Sequence, residues 1–65
     1  MQRYRITTTE AGGPEQTWVL LPDEPSARMQ AEEHHQRAKR LHVRVYREEP
    51  LSTVKELVLD LPPKG

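Results

Sequence analysis

Apolar and polar residues alternate in four short runs separated by polar breaks. In residues 4–10, Tyr4, Ile6 and Thr8 fall on one side of an extended chain, and threonines favour that backbone. Residues 16–21 form a second run that is apolar at four consecutive positions, Trp18-Val19-Leu20-Leu21. Leu41, Val43 and Val45 alternate with His42, Arg44 and Tyr46 in residues 41–47. Residues 54–61 place Leu57, Leu59 and Leu61 on one side. Period-two alternation of this kind predicts four strands.

The breaks predict the connections. Ala11-Gly12-Gly13-Pro14 reads as a turn, so the first two strands form a hairpin. Pro22 to Ser26 closes the second strand and opens a helix expected from about Pro25 to about Arg40. Asp23 or Ser26 is its expected cap, and Asp23 and Glu24 suit the positive end of the helix dipole. At 100° per residue Ala27, Ala31, His34 and Ala38 form one narrow stripe, with Leu41 at its edge. His34 is therefore expected against the sheet and His35 half exposed. Glu48-Glu49-Pro50 separates the last two strands, and residues 62–65 are expected to fray.

These elements predict an α+β domain of order ββαββ, a four-stranded antiparallel sheet with one helix on one face. A right-handed crossover from the second to the third strand puts the first strand between them, giving the spatial order 2-1-3-4, with a swapped hairpin or a sheet completed by a second chain equally allowed. The layout is similar to that of many small bacterial and phage domains, peptidoglycan-binding repeats among them. That resemblance is one of layout and implies no function.

Composition then narrows the classes. The chain has 65 residues, enough for one domain over residues 1–61 with little core to spare. Apolar residues make up 34% and charged ones 31%, with a net charge of zero. There is no cysteine, which removes disulfides, thiolate metal sites and cysteine nucleophiles. No apolar run reaches the length of a membrane helix, and the first residues lack a signal-peptide core, so the expectation is a cytoplasmic protein with no membrane role.

Candidate chemistry is sparse. Ser26 and Ser52 sit at a helix start and in a turn, and no nucleophile-elbow, zincin or phosphate-loop pattern occurs. The paired carboxylates Glu32-Glu33 and Glu48-Glu49 are sequence neighbours and form no acid–base pair by themselves. His34, His35 and His42 lack zinc-ligand spacing. The expectation is a non-enzymatic module with no cofactor, no metal and no small-molecule substrate.

Two binding readings remain. One helix covers one face of such a sheet, so apolar residues on the other face mark an interface. Trp18, Val19, Leu21, Tyr46 and Val58 are its candidates, or Trp18 with Leu20 if the register is reversed. Such a face, or an open strand edge, predicts a homodimer or another protein partner. Trp18 itself has two readings, a core anchor or an interface hot spot. The alternative is nucleic-acid binding through the basic segment Arg37, Lys39, Arg40, Arg44 and Arg47. Residues 37–65 carry seven basic and four acidic side chains, whereas residues 1–36 carry three and six. Tyr46 beside Arg44 and Arg47 offers a stacking surface for single strands.

Overall fold

The computed structural model describes residues 2–64. Four strands and a helix follow in the order β1 (Arg3–Thr9), β2 (Glu15–Leu21), α1 (Glu24–Arg37), β3 (His42–Glu48) and β4 (Lys55–Leu61). The strands form an antiparallel sheet of order β2-β1-β3-β4, the order the crossover argument predicts. Gly12 takes φ +78° in the first hairpin, a backbone that glycine adopts without steric cost.

Helix α1 starts where the sequence places a cap. Asp23 is extended, and its carboxylate accepts the Ser26 amide at 3.0 Å, satisfying a donor the helix itself leaves free. Hydrogen bonding from Ser26 holds the Asp23 carboxyl below its usual range. Glu24 and Arg28 pair one turn apart at 2.8 Å. The helix ends at Arg37, three residues before the expected Arg40. Ala38 leaves helical geometry at φ −135°, and the Leu41 amide bonds back to its carbonyl at 3.0 Å. That turn delivers Leu41 into the core, which a longer helix would carry past the sheet.

The core comprises Tyr4, Ile6, Ala27, Ala31, Leu41, Val43 and Val45. Ala27 and Ala31 are fully buried, and their small side chains bring the helix backbone close to β1 and β3. The buried stripe continues at His35, not at His34. Positions 27, 31 and 35 are successive i, i+4 neighbours and advance along a single face. His35 is 4% exposed, and its Nε2–H donates to the Pro62 carbonyl at 2.9 Å. The Lys64 amide donates to the Lys39 carbonyl at 2.7 Å. Within the segment expected to fray, Pro62 and Lys64 thus bond to His35 and Lys39, while Gly65 lies outside the described residues.

Both edge strands carry a β-bulge. The β1–β2 register shifts after Ile6–Val19, so Trp18 has no partner across the ladder. The β3–β4 register shifts after Val45–Leu59, which leaves Val58 unpaired in the same way. A bulge turns two successive side chains towards one face. Trp18 and Val19 thus both lie on the helix side, as do Val58 and Leu59. The Trp18 ring stacks on His34 with centroids 4.1 Å apart, and Arg28 donates to the Val58 carbonyl at 3.1 Å.

Candidate protein-interaction face

Strand parity assigns the uncovered face. On β1 the odd positions Arg3, Arg5, Thr7 and Thr9 point away from the helix, and on β3 the even positions His42, Arg44, Tyr46 and Glu48 do so. The registers then define rows across the sheet. The central row is Leu20–Arg5–Tyr46–Leu57, one residue from each strand in spatial order. Leu20 is 44% and Leu57 49% exposed. The matching row beneath the helix is Val19–Ile6–Val45–Leu59.

Charged groups flank the central row on both sides. On one side Glu48 accepts from Arg5 Nε at 2.7 Å and from Arg3 Nε at 3.2 Å. The Arg5 bond holds the Glu48 carboxyl below its usual range and raises the guanidinium in return. Lys55 lies over the Tyr46 ring with its Nζ 4.4 Å from the centroid. On the other side the Thr7 hydroxyl donates to Glu15 at 2.7 Å and the Tyr46 hydroxyl does so at 2.9 Å. The Thr7 bond is the main cause of a lowered Glu15 carboxyl, while burial and then Glu15 raise the Tyr46 hydroxyl. Arg44 sits between Glu15 at 3.6 Å and Asp60 at 3.5 Å. His42 Nε2–H donates to Asp60 and holds that carboxyl below its usual range.

The expected apolar patch of Val19, Leu21, Tyr46 and Val58 does not form. Val19, Leu21 and Val58 pack against the core on the helix side, and only Tyr46 is on the uncovered face. The two bulges are the reason, because each reverses the parity of its strand partway along. Trp18 is 44% exposed at the margin of the helix layer, so it is neither a full core anchor nor part of the open face. Of the reversed-register pair, Leu20 reaches the open face and Trp18 does not. Sequence reasoning missed Leu57, Arg5 and Glu15. The adjacent apolar pairs Trp18-Val19 and Val58-Leu59 were the available signal of a bulge.

The basic segment is spread out. Arg37 closes the helix and Lys39 follows it. Arg40 pairs with Glu10 at 3.6 Å, and Arg47 pairs with Glu56 at 2.9 Å. Arg44 belongs to the open face, whereas Arg47, in register with Tyr4, points to the helix side. Three of the five cations thus already hold carboxylates.

Among the described residues no helix is long and apolar enough to cross a membrane. Compared with known proteins, the chain matches no family model, no curated protein and no solved structure.

Proposed function

We propose that this chain is a non-enzymatic protein-interaction module that binds a protein surface through the uncovered face of its sheet. The observation that carries the reading is the row Leu20–Arg5–Tyr46–Leu57, two half-exposed leucines bracketing an arginine and a tyrosine. Arginine and tyrosine are enriched where binding energy concentrates. Both are held in place before any partner arrives, Arg5 by Glu48 and Thr17 and Tyr46 by Glu15 and Lys55. Prior ordering lowers the entropy cost of binding. This reading assumes a chain that works in the cytoplasm.

Nucleic-acid binding has weaker support. A phosphate chain would have to displace carboxylates from Arg40, Arg44 and Arg47, and these arginines do not share a face.

The test uses partners captured from the native host, each then purified and titrated against this protein. Leu57→Asp should weaken a true partner roughly tenfold or more, while Met29→Asp on the exposed helix surface should leave it unchanged. Partners that bind wild type and Leu57→Asp equally would overturn the reading.

A further inference from the structure

The uncovered face is charged in an alternating pattern, and the pattern on one side of the central row is the inverse of that on the other. On the first side, crossing β1, β3 and β4, come Arg3, Glu48 and Lys55, in the order positive, negative, positive. On the second side come Glu15, Arg44 and Asp60, in the order negative, positive, negative. Glu15 belongs to β2, but its carboxylate reaches inward to the Thr7 and Tyr46 hydroxyls and so lies over β1, towards β3, in that row. The first side carries a net charge of one positive and the second a net charge of one negative.

A surface with this symmetry fits itself. Rotating a second copy by half a turn about the line Leu20–Arg5–Tyr46–Leu57 lays the two faces together. The rotation exchanges the two flanking rows. Lys55 then faces the Asp60 of the other copy, Glu48 faces its Arg44, and Arg3 faces its Glu15, so each pair is of opposite sign. The leucines at each end of the row meet their own counterparts, which satisfies the self-complementarity of a two-fold interface. Arg5 also meets its counterpart, but each Arg5 already carries Glu48. We propose that the partner of this face is a second copy of the chain, docked face to face about a two-fold axis along the central row. The proposal rests on the preceding reading of the face as a protein-binding surface.

Size sets the expected strength. Four strands about 4.8 Å apart and seven residues of about 3.3 Å each give a face of roughly 19 by 23 Å. Two such faces bury on the order of 900 Å² together, at the low end for specific association. An interface of this size marks a weak, transient dimer. Helices cover the two outer sides, so the assembly is a four-layer sandwich with the sheets inside.

Sedimentation velocity on the purified chain tests the pairing across about 5–500 μM, a range suited to weak association. Wild type should pass from monomer to dimer over the range, and added salt should shift it towards monomer. Lys55→Asp places like charges opposite each other and should weaken the dimer roughly tenfold. The double variant Lys55→Asp/Asp60→Lys restores opposite signs and should recover most of that loss. Circular dichroism confirms that each variant is folded. A wild type that stays monomeric throughout overturns the proposal, and so does a dimer indifferent to both Leu57→Asp and Lys55→Asp. A monomer whose captured partner is still lost on Leu57→Asp removes the second copy but keeps the protein-binding reading. A monomer with no partner sensitive to that substitution removes both.

Discussion

Glu48 holds together one side of the open face. Its side chain is 13% exposed, and it takes hydrogen bonds from two arginines that would otherwise repel each other along β1. An isolated exposed ion pair contributes little, but a partly buried network ordered on strands contributes more. Glu48→Gln should cost about 1 kcal/mol at neutral pH, or a melting temperature lower by about 4–8 °C for a domain this size. The carboxyl is depressed in the folded state from an ordinary value of 4.5. Its contribution is fully present above that value and is lost as pH falls through the lower folded one. Melts followed by circular dichroism from neutral to strongly acidic pH should show a constant gap between wild type and variant above about pH 5, closing at lower pH. A gap that persists unchanged at low pH would show that Glu48 acts by packing and not by charge.

At the scale of elements, the helix depends on two small residues and one histidine. Ala31 has no exposed surface, so Ala31→Leu must push α1 off the sheet and should cost about 1–3 kcal/mol. Urea unfolding should show a lower midpoint with little change in slope. His35→Ala leaves a cavity and strips the Pro62 carbonyl of its donor, for a loss of about 2–4 kcal/mol. His34→Ala removes only the stack on Trp18 and should cost about 0.5–1.5 kcal/mol. Trp18 is the sole tryptophan, so its fluorescence reads this contact directly. Emission should shift to the red in His34→Ala as the indole gains water, and equal losses for the two histidines would contradict their placement.

For the whole molecule the limiting fact is a small core. Its three largest fully buried side chains are only Ile6, Val43 and Val45. A core of this size supplies a stability of roughly 3–5 kcal/mol. Association then matters more than it would in a larger domain, because a state that binds another copy is stabilised by mass action. The melting temperature of wild type should rise over about a hundredfold increase in protein concentration, and that of Leu57→Asp should not. Concentration-independent melting of both would argue for a chain that stands alone.

The strands, the helix and their order were legible in the chain because each rests on local signals. Side-chain alternation, the Asp23 cap, the Gly12-Gly13 turn and a handed crossover act over a few residues, or through chirality common to all proteins. Which residues line the open face was decided in three dimensions. A single unpaired residue at Trp18, and another at Val58, reverses strand parity, and the cost of each bulge is set by what packs beneath it. The choice of His35 over His34 is of the same kind. Both lie within one turn, and the helix rotates to the setting that buries Ala27 and Ala31 together, with the strand order fixing where the sheet lies beneath it.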